Sequence, residues 1–73
     1  MTHGEKLVGI DFNVGNRVDV HDCKVLFAQA IDQLEAIKRG PEMISDLQLR
    51  LIDEAILRIL DAQMWAVKAI TAK

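Results

Sequence analysis

The sequence predicts a mostly helical α+β fold, in which a short N-terminal β-strand precedes an antiparallel αα-hairpin and several copies assemble into a homo-oligomer. Apolar and polar residues alternate over 6–13, which is typical of a strand. Helical periodicity follows over 17–39, and 42–72 contains no Gly or Pro. Residues 1–73 are expected to form a single domain, because typical domains have about 100–200 residues.

In the predicted strand, Val8, Ile10 and Phe12 share one face and alternate with small or polar residues. Residues 13–16, Asn-Val-Gly-Asn, favour a turn because Asn and Gly tolerate positive φ. A lone strand leaves its backbone groups unpaired. The sequence offers no second strand, so we expect pairing with the same strand of another copy.

The first long helix is predicted over 17–39, with Asn16 or Asp19 as its cap. Gly40-Pro41 ends it after two cationic residues. Its apolar positions recur at helical spacing. They are Val20, Cys23, Phe27, Ala30, Ile31, Leu34 and Ile37.

The second helix, predicted over 42–72, has an apolar arc near half its circumference. One side carries Leu51, Ala55, Ile59, Ala62, Ala66 and Ile70, and the next carries Ile52, Ile56, Leu60 and Val67. One neighbouring helix covers only the first side, so the second is expected to be an exposed interface. Alanines along this helix allow close approach of neighbouring backbones, which favours a homo-oligomer.

Composition argues against several classes of protein. A net charge of -2 without a run of like charge disfavours long DNA or RNA as a partner. With Cys23 as the single cysteine and only two His, neither an internal disulfide nor a closed zinc site is expected. No apolar segment approaches the roughly 20 residues of a membrane span, and no signal peptide is recognisable. We therefore expect a cytoplasmic chain without metal, cofactor or membrane partner.

Arrangements for catalysis are sparse, and no enzyme is expected. His21, Asp22 and Cys23 are adjacent in sequence, but side chains one or two residues apart on a helix do not face each other. The charged residues of the second helix, Arg58 among them, are interpreted as a solvated face with local ion pairs. Phe12-Asn13, Arg17 and Trp65 are candidates for ligand contacts, although packing in a core or interface is the plainer explanation for the aromatics.

The C-terminal stretch resembles a known family. It reads Arg50-Leu51-Ile52, Ala55, Ala62 and then Met-Trp-Ala-Val-Lys-Ala-Ile-Thr over 64–71. These residues, with Phe12-Asn13 and the following turn and helix, are similar to type 1 Thoeris anti-defence proteins of bacteriophages. That family is related to the anti-CBASS type 2 proteins through a shared helical hairpin.

The resemblance implies a sponge that binds cyclic nucleotide immune signals, either cyclic ADP-ribose isomers or cyclic di- and trinucleotides, without cleaving them. It also implies dimers that assemble into hexamers, with pockets between protomers. Arginine suits such ligands because its planar fork binds phosphate and stacks on bases. The expected ligand-binding residues are Phe12, Asn13, Arg17, Lys24, Arg50, Arg58 and Trp65. The short Gly40-Pro41 connection departs from longer relatives and leaves the ligand class open.

Two other functions fit the sequence. An oligomerisation or adaptor module would bind a protein partner through the same apolar surface. A ribbon-type DNA-binding regulator would read DNA with the N-terminal strand. That strand would present Gly9, Asp11 and Asn13, and the Asp11 carboxylate would repel phosphate, so DNA reading ranks third.

Overall fold

The computed structural model describes all residues, 1–73, and contains three helices and no β-strand. Helix α1 spans His3–Val8, α2 spans Val18–Lys38 and α3 spans Asp46–Thr71. The two long helices form an antiparallel hairpin, and α1 packs mainly on α2. The molecule measures 45 × 21 × 13 Å with a radius of gyration of 13.7 Å. A compact chain of this length has a radius of about 11 Å, so the hairpin is elongated.

The predicted strand over 6–13 is wrong, and the fold is all-helical rather than α+β. Thr2 and Glu5 form a reciprocal capping box: the Thr2 hydroxyl accepts from Glu5 N at 3.1 Å, and the Glu5 carboxylate accepts from Thr2 N at 2.8 Å. Gly9 ends the helix in the left-handed region at φ 63°. These cap signals outweigh the alternation of Val8, Ile10 and Phe12, because they satisfy backbone groups locally. The ribbon-type DNA-binding hypothesis is therefore wrong in its premise, because it requires an N-terminal strand that the structure does not contain.

A turn joins α1 to α2, as 13–16 predicts. Gly15 and Asn16 have φ of 79° and 51°, which confirms the expectation of positive φ. Neither expected residue caps α2. Arg17 is the N-cap and makes no side-chain cap bond. The side-chain amide of Asn13 instead makes two hydrogen bonds to the backbone of Arg17. It accepts from Arg17 N at 3.2 Å and donates to Arg17 O at 2.8 Å.

The connection between the long helices occupies residues 39–45. Helix α2 stops within one residue of the expected end, whereas α3 starts at Asp46 rather than 42. Ser45 determines this start, because its backbone is extended at the N-cap and its Oγ accepts from Gln48 N at 3.0 Å. A serine in this position satisfies an otherwise unpaired helix N–H.

Replacing Ser45 by Ala is expected to lower the free energy of unfolding by about 1 kcal/mol, because the Gln48 N–H loses its acceptor. The Tm should fall by roughly 4–8 °C for a chain of this size. Thermal unfolding followed by circular dichroism measures the change. Ser45→Asp keeps a capping oxygen and is the control; equal melting of the two variants would contradict the cap.

The core lies between α1 and the hairpin. It consists of Val8, Ile10, Ala28, Ile31, Ile52 and Ile56. Gly4 permits the close contact of α1 with α2, because a Cβ there would stand 2.2 Å from the Ala28 carbonyl oxygen. Gly4 N also donates to the Asp32 carboxylate at 2.7 Å.

Burial along α3 does not follow the two expected sides of the apolar arc, although Ile59 of the first side does pack against the core. Ile52 and Ile56, on the side expected to be exposed, are buried. Leu51, on the side expected to be covered, is 61% exposed. Ile52 and Ile56 belong to the same core cluster as residues of α1, of the turn after it and of α2, so both helices together cover this side. Part of the apolar arc on α3 is still not covered by the other helices of the chain.

The uncovered part of the arc continues onto α2. Leu26 is 67% exposed and lies about 160° around α2 from Ala28, which contacts α1. Leu51 and Trp65 likewise lie on the side of α3 turned away from Ile56, and Trp65 is 65% exposed. We call this surface, formed by Leu26, Ile37, Leu51 and Trp65 with the alanines between them, the open face.

The elongated chain exposes more surface than a compact monomer of its mass. The accessible surface is 5466 Å², whereas a compact monomer of this mass exposes about 4,500 Å². The excess of roughly 900 Å² is close to the ~800 Å² that each partner buries in a standard interface. None of the three helices is both long enough and apolar enough to pass through a lipid bilayer.

Candidate functional site

Lys24 lies beneath the turn that follows α1. The residue is 5% exposed, and its Nζ donates to the carbonyl oxygens of Gly9, at 2.9 Å, and of Phe12. No carboxylate forms an ion pair with it, and its hydrogen-bond acceptors within the chain are these two backbone carbonyls. An ammonium has three N–H donors, and two of them are accepted by these backbone carbonyl oxygens. One N–H remains for another acceptor.

Phe12 is a surface residue, contrary to the plainer expectation that it packs in the core. Its side chain is 77% exposed, and the ring centroid lies 5.7 Å from Lys24 Nζ. A cation at this distance is attracted by the ring face. The arrangement combines a flat aromatic surface with a fixed positive charge.

Three depressions are lined in part by Phe12, and two of them reach Lys24. The larger of these two, of about 460 Å³, lies between α1 and α3. Its apolar lining includes Leu7, Leu60 and Met64. We call it the Phe12 groove. The smaller, of about 180 Å³, faces the C-terminal turns of α3.

The Phe12 groove contains one residue that sequence reasoning missed. Gln63 is 4% exposed and lines the groove, and its amide has no hydrogen-bond partner within the chain. The signal was available in the sequence, since Gln63 follows Ile56 by seven residues and therefore lies on the buried stripe. A glutamine in that stripe departs from the apolar pattern.

Asn13 and Arg17 lie at the same end of the hairpin as Lys24, but both are engaged within the chain. The Arg17 guanidinium donates to both carboxylate oxygens of Asp19, at 3.1 and 2.8 Å, and to Ile70 O at 3.4 Å. This hydrogen bonding lowers the pKa of Asp19 and raises the pKa of Arg17. The Asn13 amide is occupied by the backbone of Arg17. These residues hold the turn that carries Phe12.

The other three expected site residues lie away from the groove. Arg58 pairs with Glu54 at 3.0 Å, and Lys68 Nζ lies 5.7 Å from the centroid of the Trp65 ring. Arg58 shares the outer side of α3 with Trp65 and borders the open face, to which Trp65 belongs. Arg50 is in the first turns of α3, roughly 20 Å along the axis from Trp65. One protomer therefore does not bring the seven residues together.

No three His, Cys, Asp or Glu side chains come together anywhere in residues 1–73 in a way that could hold a metal ion. Comparison of the chain with known protein families, with curated proteins and with solved structures found no match.

Proposed function

We propose that this protein is a non-enzymatic sponge that binds cyclic nucleotide immune signals in the Phe12 groove and holds them uncleaved between protomers of a homo-oligomer. The ligand class comes from the sequence resemblance. The observation that supports it is the exposed Phe12 ring 5.7 Å from the buried Lys24 ammonium, which retains one free N–H. Under this proposal the protein acts in the cytoplasm of an infected bacterium.

The Phe12 ring and the Lys24 ammonium match the base and the phosphate of a nucleotide. A base stacked on an aromatic side chain contributes about 1–3 kcal/mol, whichever base it is. A phosphate oxygen can accept the remaining N–H of Lys24 in a charge-assisted hydrogen bond. Two copies related by a two-fold axis present each group twice, which suits a cyclic dinucleotide with two bases and two phosphates.

Self-association completes such a site. The Phe12 groove is open to solvent in one protomer and lies on the side of the hairpin that carries α1, whereas the open face lies on the other side. A chain that uses both surfaces contacts two different neighbours, so its assembly is larger than a dimer. The hexamer implied by the resemblance has this property.

An adaptor that binds a protein partner is the second candidate, and the open face favours it. Trp65 is part of this surface and Arg58 borders it, and Trp and Arg are enriched among the residues that dominate binding energy at protein interfaces. In this alternative a partner helix covers the face that a second copy covers in the first proposal. A response to cyclic nucleotides separates the two.

The first test measures the Tm of the purified protein with cyclic ADP-ribose isomers and cyclic di- and trinucleotides. At least one should raise the Tm, because a ligand at 100 times its Kd stabilises the folded state by about 2.7 kcal/mol. Heating the complex should then release the ligand intact. A cleaved product would overturn the non-enzymatic proposal, and no shift with any cyclic nucleotide would favour the adaptor.

Replacing Phe12 by Ala should weaken binding of that ligand by roughly five- to 150-fold, because one stacked base loses about 1–3 kcal/mol. Since the ring is 77% exposed, the Tm of the free protein should change little. Val14→Ala is the matched control, because Val14 is 85% exposed on the same turn. Isothermal titration calorimetry with all three proteins decides the point; unchanged affinity for Phe12→Ala would remove the groove from the site.

A further inference from the structure

We infer that Gln63 selects the base of the bound nucleotide and favours adenine over guanine. This inference rests on the proposed function, because it assigns a role within the same groove. The observation behind it is that Gln63 is a buried residue whose side-chain amide forms no hydrogen bond within the chain.

The amide of Gln63 has no partner in the chain. The residue is 4% exposed, and no hydrogen bond of its side chain is formed within the chain. No fully buried side-chain nitrogen or oxygen lacks a partner, so the amide atoms of Gln63 are not sealed from the surface. Gln63 lines the Phe12 groove, which is open to solvent in one protomer. The amide is therefore available to pair with a molecule that occupies the groove.

Folding alone favours an apolar residue at this position. Gln63 follows Ile56 on the stripe of α3 that faces the core, and Leu60 and Met64 flank it in the groove lining. A leucine fills about the same space without a polar group to satisfy. A glutamine there reduces stability and gains nothing within the protomer, which is typical of residues retained for binding.

The chemistry of the groove limits what the amide can bind. Its polar groups include Lys24 and Gln63, and Phe12 is the aromatic residue of its wall. A carboxamide presents a donor and an acceptor side by side, which pair with N7 and N6 of adenine. The corresponding edge of guanine presents two acceptors, N7 and O6. A base stacked on Phe12 with this edge toward Gln63 is therefore bound better when it is adenine.

The test compares wild type with Gln63→Leu, using cyclic di-AMP and cyclic di-GMP as probes and the Tm of the free protein as a second readout. The variant should have an equal or higher Tm, because the unpaired amide is gone. Its Kd for cyclic di-AMP should rise at least about fivefold, because a bidentate amide–adenine pair is worth about 1–3 kcal/mol. Its Kd for cyclic di-GMP should change less. Gln33→Leu on the exposed surface of α2 is the control.

The outcomes separate this inference from the proposed function. A lower Tm for Gln63→Leu would show that the amide supports the fold, and an equal loss of affinity for both probes would show that it reads no base. Either result overturns the inference while leaving nucleotide binding intact. If wild type binds neither these probes nor any other cyclic nucleotide, the proposed function itself fails and the inference fails with it.

Discussion

Gly4→Ala is expected to displace α1 from the hairpin and to remove most of the stability of the protein. The added Cβ would stand 2.2 Å from the Ala28 carbonyl oxygen. Neither the Cβ nor the carbonyl can rotate away, because each is fixed to the backbone of its helix. Displacing α1 exposes Val8 and Ile10, each worth about 1.5–3 kcal/mol when buried. We expect a loss of about 3 kcal/mol, against the ~3–5 kcal/mol that a core of this size supplies.

Urea unfolding followed by circular dichroism measures this loss, and Gly40→Ala is the matched control. A Cβ at Gly40 would lie 3.4 Å from the Ala36 carbonyl oxygen, an ordinary contact, so that variant should unfold close to wild type. The Gly4 variant should also lose ligand binding, because α1 and its turn form one wall of the Phe12 groove. Equal midpoints for wild type and Gly4→Ala would show that α1 is not packed as described.

Replacing Leu26 and Leu51 together by Glu is expected to abolish self-association. Both side chains are more than 60% exposed in the protomer, so its fold should survive. Residues that dominate an interface contribute about 2 kcal/mol or more each. Losing two of them weakens association by roughly a thousandfold.

Sedimentation velocity at micromolar concentration measures the effect. Wild type should sediment as an oligomer and the double variant as a monomer with an unchanged circular dichroism spectrum. Met43→Glu is the control, because Met43 is 98% exposed but lies in the connection between the long helices. A wild-type chain that is folded and monomeric at this concentration would eliminate the open face as an interface between copies.

The long helices were predictable from the sequence because their signals are local. The apolar period of 3.6 residues and the Gly40-Pro41 stop placed α2 within a residue of its ends. The start of α3 differs from the expected residue 42. Lack of Gly and Pro shows only that a helix can continue, whereas the Ser45 N-cap determines where it begins. The Thr2–Glu5 capping box and Gly9 were equally readable, and they specify α1 where alternation indicated a strand.

The candidate site was predictable only in part. Phe12 and Lys24 were named as ligand residues, and the structure places them together. Arg58 and Trp65 lie on the other side of α3, and Arg50 lies in its first turns, toward the opposite end of the hairpin. Residue type alone could not reveal this separation, because it depends on which helix covers which side of α3.

The sequence by itself determined two amphipathic helices, a turn at Gly15-Asn16 and an apolar arc on α3 too wide for one neighbour. Tertiary structure decided how that arc is shared. Helices α1 and α2 together cover Ile52 and Ile56, and α1 forms one wall of the groove. Leu51 and Leu26 stay exposed on the other side. Hydrophobic burial is non-directional, so periodicity shows that a face must be covered, and only the packing of the whole chain determines what covers it.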